Sequence, residues 1–212
     1  MDLDPVMTAG LVTREVRTGE RDGAPTRIVV ARRTYETDQG DLWQAITAPE
    51  RIPRWFLPIT GELRLGGRYQ LEGNAGGVIE ACDEPDHLAV TWEFAQQVSW
   101  LRVTLSPAAG GTTLELAHEA PVDPDFWAQY GPGAAGVGWD LGLLGLGLYL
   151  DSGDAVDPAQ AERWTVSPSG IEFVRHAAHG WAAAAEADGD APTAAGEAAE
   201  RTVAFYTTLT EG

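Results

Sequence analysis

Few side chains in this sequence could do chemistry. Asp140 is the sharpest of them, the one charged residue in the apolar run Val137–Leu150. A carboxyl buried there would have a raised pKa and could act as a general acid or base. The competing reading is a solvent-facing or arginine-paired residue on the outer stripe. Trp139 begins the apolar stripe, and the next residue along is turned by about 100° on a 3.6-residue helix; that reading is preferred. His118 and Glu119 end a strand-like segment, so alternation turns one of them inward, and His118 is the second weak catalytic candidate. Glu172, His176 and His179 fall at i, i+4 and i+7, which can bring a carboxylate and two imidazoles to one metal. No fourth ligand and no HExxH string accompany them, so they are expected to meet solvent or a neighbouring helix. No metal and no cofactor are expected.

Cys82 is the single cysteine, which leaves no intramolecular disulfide and no cysteine zinc cluster. His87 is near, but no oxyanion-hole motif accompanies the pair, and the thiol is read as buried and structural. The glycines of Gly73–Gly77 lack a P-loop lysine and a following helix, and read as a hairpin turn. Asp123 and Asp125 read as a loop and helix cap. Arg64 and Arg68 would anchor a ligand carboxylate if they pointed inward and would offset acidic surface if they pointed outward; the sequence leaves both open.

The aromatic side chains carry the stronger signal. Eight tryptophans stand in 212 residues. Trp55, Phe56, Tyr69 and Trp92 fall on a loop and strands that could surround a pocket. Phe94, Trp100, Trp139 and Leu143 do so on strands and the following helix. Together they suggest an aromatic-lined cavity for a small ligand, although any one ring can equally be core.

These residues need elements to hold them. Leu11–Thr18 and Thr26–Thr37 alternate as strands around a turn. Asp38 caps a helix with Leu42, Trp43 and Ile46 inward. Five strand-like segments follow, Gly61–Gly73, Gly76–Cys82, His87–Phe94, Val98–Pro107 and Gly111–Ala120, joined by short links that imply an antiparallel meander. Pro124–Leu150 turns helical, with Trp139, Leu143, Leu146 and Leu150 on one stripe. Its glycines suggest close approach to another backbone, since each costs about 1 kcal/mol against alanine inside a helix. After Asp151 the chain is alanine-rich and helical. Phe173, Trp181, Val203, Phe205, Tyr206 and Leu209 predict that these helices dock rather than float. The expected fold class is α+β: a helix-grip domain, residues 1–150, whose curved antiparallel sheet and long helix enclose a cavity, plus a docked helical extension, residues 151–212. Residues 1–10 read as a loose tail.

Charge narrows the partners. Thirty-two acidic residues face fourteen basic ones, all arginine, for a net charge of -18. Such a field repels phosphate backbones and anionic membranes. Val137–Leu150 is too short to span a bilayer and carries Asp140. One thiol and no signal-peptide pattern suggest the cytoplasm. The partner expected is a small apolar or amphipathic ligand, with a homodimer as a further arrangement, and with neither nucleic acid nor membrane.

The strings "DLWQAITAPERIPRWFLP", "GELRLGGRYQLEG", "GGVIEACDEPDHLAVTWEF" and "GVGWDLGLLGLGLYL" resemble the SRPBCC (START-like, Bet v 1-like) superfamily, in its activator-of-heat-shock-protein-90-ATPase-homologue-like branch, from about Arg27 to Leu150. "EAAERTVAFYT" resembles longer actinobacterial members. The resemblance implies a helix-grip fold and a ligand cavity. It leaves function open, because the superfamily includes lipid carriers, polyketide cyclases and hormone receptors. A small-molecule binder is preferred, with a cyclase-like enzyme or a chaperone-associated or dimerisation module as alternatives.

Overall fold

The alternating segments fold as a sheet. In the computed structural model, which describes residues 4–208, the strands are β1 (Thr13–Arg21), β2 (Ala24–Tyr35), β3 (Ile59–Gly61), β4 (Arg68–Leu71), β5 (Gly76–Asp83), β6 (His87–Phe94), β7 (Gln97–Ala108) and β8 (Gly111–Pro121). They form one curved antiparallel sheet in the order β1-β2-β8-β7-β6-β5-β4-β3. The helices are α1 (Pro5–Gly10), α2 (Gln39–Thr47), α3 (Pro124–Tyr130), α4 (Gly133–Ser152), α5 (Pro158–Thr165), α6 (Pro168–Ala187) and α7 (Pro192–Thr207). This is the α+β helix-grip architecture with C-terminal helices.

The chain divides into two compact units that do not follow sequence order. One comprises Arg32–Pro121 and Gly145–Val156. Its meander is fixed by register: Val90 pairs with Leu101, Leu101 with His118, Val103 with Leu116, and Leu105 with Leu114. Directly paired residues share a face, so Val90, Leu101, Val103, Leu105, Leu114 and Leu116, all buried, define the inner face. Asp38 caps α2 by accepting from Asp41 N at 2.9 Å, and Leu42, Trp43 and Ala45 are its buried residues. The second half of α4 belongs here. Arg51 donates from Nε to the Tyr149 hydroxyl at 2.8 Å, and Gly145 lies close to the Trp55 carbonyl.

The other unit comprises Met1–Ala31, Val122–Leu144 and Asp157–Gly212. Here α6 packs on α1, β1, α5 and α7, and α7 packs on α3. Phe173, Val174, Ala177 and Trp181 form the buried face of α6, and Ala195, Ala199 and Val203 that of α7. Arg27 of β2 pairs with Asp188 at 2.6 Å and Asp190 at 3.0 Å, and stacks on the Trp127 ring.

Several elements depart from the sequence expectation. Residues 5–10 form α1 rather than a tail: Asp4 accepts from Val6 N and Met7 N, and Pro5 stands in the first turn, a capped start. The helix expected over Pro124–Leu150 breaks at Gly131, whose φ is 55°, beyond the reach of most side chains. The segment Gly61–Gly73 is not one strand: β3 ends at Gly61, and β4 covers Arg68–Leu71. Cys82 is exposed, not buried. Phe205 is 59% exposed, so it does not belong to the docked stripe; Leu209 lies outside the described residues. Helix α4 has 20 residues and is long and apolar enough to cross a membrane, more than the Val137–Leu150 run suggested; 61% of its apolar window is buried within the protein.

Candidate ligand-binding face

The site begins with register. Because Leu101 is paired with His118, the imidazole shares the inner face with the buried leucines. Trp92 pairs with Ser99, and Phe94 with Gln97, so Trp92, Phe94 and Ser99 lie on that face too. Ser99 and His118 are diagonal neighbours across β7 and β8, and Ser99 Oγ sits 2.8 Å from His118 Nε2. Ser99 also donates to the Trp92 carbonyl at 3.1 Å. The direction of the Ser99–His118 bond is set by the imidazole tautomer. Trp92 meets the imidazole edge-on, with ring centroids 6.0 Å apart. Burial pushes the His118 pKa down to about 4, so the ring is neutral at pH 7. The face thus combines two aromatic rings with one neutral polar pair.

The remaining aromatic residues divide. Tyr69 is buried opposite Gly77, where no side chain stands in its way, and its hydroxyl donates to the Thr91 carbonyl at 2.8 Å. Trp55 stacks on Phe56, with centroids 5.4 Å apart, and donates from Nε1 to the Ala45 carbonyl. Trp100 pairs with Thr91 and Glu119, which puts it on the sheet face opposite Trp92; alternation, which placed it among the pocket residues only as a member of the right strand, sends it outward. Phe94 is 53% exposed at the tip of the β6–β7 hairpin. Trp139 and Leu143 belong to the first half of α4, in the other unit.

A second polar feature of the inner face is Arg33, buried with its guanidinium over the Tyr35 ring at 4.8 Å and against Gly147 of α4. The ion pair Arg32–Glu115 and the hydrogen bond Thr34–Thr113 bracket it on β2. That sets it beside Leu114, about 13 Å along the strand from His118 at 3.3 Å per residue. A surface cleft of about 480 Å³ lies at residues 36–39, Pro107 and residues 110–112, and none of the predicted aromatic residues lines it.

Asp140 sits elsewhere, in the first half of α4. Its Oδ2 accepts from Arg14 Nε at 3.0 Å and from Trp181 Nε1 at 2.8 Å, and the side chain is fully buried. The preferred arginine-paired reading describes it, but the pair is interior rather than solvent-facing. Burial raises the carboxyl's pKa, against the attraction of Arg14 and the two hydrogen bonds. Asp140 and His118 fall in different units.

The other candidates lie at the surface. Glu172, His176 and His179 are exposed, and His179 meets Glu200 at 3.1 Å. Arg64 and Arg68 are exposed and paired with Glu62 and Glu93. Asp123 caps α3 through Phe126 N. Partial desolvation and the nearby Asp83 and Glu84 carboxylates push the exposed Cys82 thiol up, away from thiolate chemistry. Ser99 is the participant that sequence reasoning missed. Its signal was its place opposite a tryptophan, two residues from the partner of His118, and that needs a register to be seen.

Residues 36–146, most of the sheet and the greater part of α4, match the family described as Activator of Hsp90 ATPase homolog 1-like protein. The chain belongs to this family. CalU16 from Micromonospora echinospora is 28% identical in its crystal structure over 82% of this chain and 98% of its own, with a TM-score of 0.66. Its solution structure gives 29%, 84%, 96% and 0.69. That likeness covers more of the chain than the family match does. MLL2253 from Mesorhizobium loti is 27% identical over 60% of this chain and 99% of its own, at 0.54. DynU16, a protein in the dynemicin biosynthetic locus, shares the fold at 20% identity, over 60% of this chain and 48% of its own, also at 0.54. No curated protein matches the chain.

Proposed function

We propose that this family member binds a small apolar or amphipathic molecule against the inner face of its sheet. The observation that carries the reading is the grouping of Trp92, Phe94, Ser99 and His118 on one face at the β6–β7 hairpin. Aromatic rings beside a few convergent polar atoms are what such sites use. A cyclase-like enzyme would draw on the same Ser99–His118 pair. A histidine with a pKa near 4 is a weak base at neutral pH, well below the optimum for proton transfer, so binding is favoured over catalysis.

Titration with the uncharged probe N-phenyl-1-naphthylamine tests this. The expected result is a saturable, single-site rise in probe fluorescence that Trp92→Ala weakens at least about tenfold, the loss of one well-packed ring. Non-saturable binding, or binding indifferent to Trp92→Ala, would overturn it.

A further inference from the structure

Helices α3 and α7 present an aromatic ladder at the surface of their unit. Its rings touch in series: centroids lie 5.3 Å apart from Phe126 to Tyr130, 5.5 Å from Tyr130 to Phe205 and 5.2 Å from Phe205 to Tyr206. Phe126 is 48% exposed and Phe205 59%, and the two tyrosines are half-buried. We infer that this ladder docks a cationic segment of another protein, a short stretch that carries arginine or lysine beside an apolar side chain.

The rings are held from behind. Arg201 of α7 donates to the Gln129 carbonyl at 2.7 Å and to the Ala128 carbonyl at 3.0 Å, at the end of α3. Thr202 donates to the Tyr130 carbonyl at 3.2 Å, and the Tyr206 hydroxyl to the Ala134 carbonyl at 2.6 Å. A partner therefore meets rings whose backbones are already placed, which lowers the ordering cost of binding.

Size and charge choose the occupant. An aromatic side chain offers about 150–250 Å², so two half-exposed phenylalanines and the visible parts of two tyrosines present on the order of 300 Å². A stable complex of two folded chains covers about 800 Å² on each partner, which the ladder alone does not supply for a second copy of this chain. Its three steps reach about 16 Å, the span of four or five extended residues, whereas a small free cation would meet one ring. Around the rings, Asp123, Asp125, Glu197 and Glu200 are exposed, against Arg201. That arginine is matched by the α3 carbonyls and by Glu197 at 3.6 Å. Aromatic faces attract guanidinium and ammonium groups within about 6 Å. The net charge of -18 draws a cationic segment in and repels a second copy. The ladder shares no residue with the sheet face proposed to bind a small molecule, so the two readings stand or fall separately.

The test is an NMR titration of the full chain, at low salt, with the capped hexapeptide GRLGRL and with the same peptide carrying citrulline for both arginines. Citrulline keeps the shape and removes the charge. The arginine peptide should bind at least about fivefold tighter, the worth of one exposed cation–π contact, and should shift resonances of α3 and α7. Phe126→Ala and Phe205→Ala should each weaken it severalfold. Both side chains are about half exposed, and an otherwise unchanged spectrum checks that each variant is folded. Leu65→Ala, at an exposed apolar residue of the other unit, should leave the affinity as it is. Each of four results would overturn the inference: equal affinity for the two peptides, shifts spread over the acidic surface and indifferent to both phenylalanine substitutions, no shift at millimolar peptide, or a dimer in light scattering that Phe205→Ala dissolves, which would make a second copy the occupant.

Discussion

At the scale of single residues, the buried ion pair and the buried imidazole make opposite demands on their surroundings. Asp140 is fully enclosed, and Arg14 is its only charged partner within hydrogen-bonding distance among the described residues. Removing one member of such a pair strands the other charge, at about 3–5 kcal/mol, whereas replacing both with apolar groups is far cheaper. Arg14→Ala should therefore lower stability in urea by that amount, and Arg14→Met with Asp140→Leu should recover most of it. A double variant as unstable as the single one would show that charge is not what the site requires. His118 gives a pH signature. Its folded pKa of about 4 lies below the unfolded value near 6.5, so between those values the unfolded chain holds the extra proton. Stability should then fall as pH drops from 6.5 toward 4, by on the order of 3 kcal/mol for this residue. His118→Gln should flatten that part of the profile, as read from denaturation midpoints across the range. The sequence offered His118 or Glu119 as the inward residue without a means to choose. Alternation fixes relative faces, and only the Leu101 pairing fixes the absolute one.

At the scale of elements, α4 shows what local pattern conveys and what it omits. Its apolar stripe was legible, and Leu143 and Leu146 are buried. Leu144, Tyr149 and Asp140 on other sides are buried as well, because the helix is covered beyond one stripe, and the covering residues lie far away in sequence. The glycines record that covering. A Cβ on Gly136 would stand 2.3 Å from the Trp181 ring, and one on Gly133 would meet Thr202. At Gly145 the neighbour is a backbone, the Trp55 carbonyl, as expected; at Gly133, Gly136, Gly138 and Gly147 it is a side chain instead. Gly136→Ala should thus lower the melting temperature, since overpacking by about 1–3 kcal/mol exceeds the roughly 1 kcal/mol gained in helix propensity. Gly196→Ala, in α7 with nothing within 4 Å of its Cβ position, should raise it by the propensity gain alone. Equal shifts of one sign would show that packing does not decide. The strands were legible for the usual reason, a period of two bounded by turn residues. Helix α1 was overlooked although Asp4 and Pro5 carry a cap signal, because six residues are too few for a periodicity to register.

At the scale of the whole molecule, charge and chain order dominate. A net charge of -18 works against compactness through self-repulsion, and salt screens it. The melting temperature should rise as sodium chloride goes from about 0.02 to 0.5 M, over which the screening length shrinks severalfold. A fall would mean that ion pairs such as Arg27–Asp188 outweigh the repulsion. The strand-then-helix order was legible from composition and period. The discontinuous unit was not, since nothing local says that residues 13–21 belong with residues 168–187. That membership has a consequence for synthesis. The Thr18 amide and hydroxyl are bonded to Asp188, 170 residues later. A ribosome adding about 5–20 residues per second delivers that aspartate on the order of ten to thirty seconds after the threonine. Throughout the interval the first strand lacks its helical neighbour, while the meander from Arg32 to Pro121 gains the last of its own strands well before Asp188 is made. The nascent chain is therefore expected to gain protease resistance in its middle before its beginning, an order that arrested chains of increasing length would display directly.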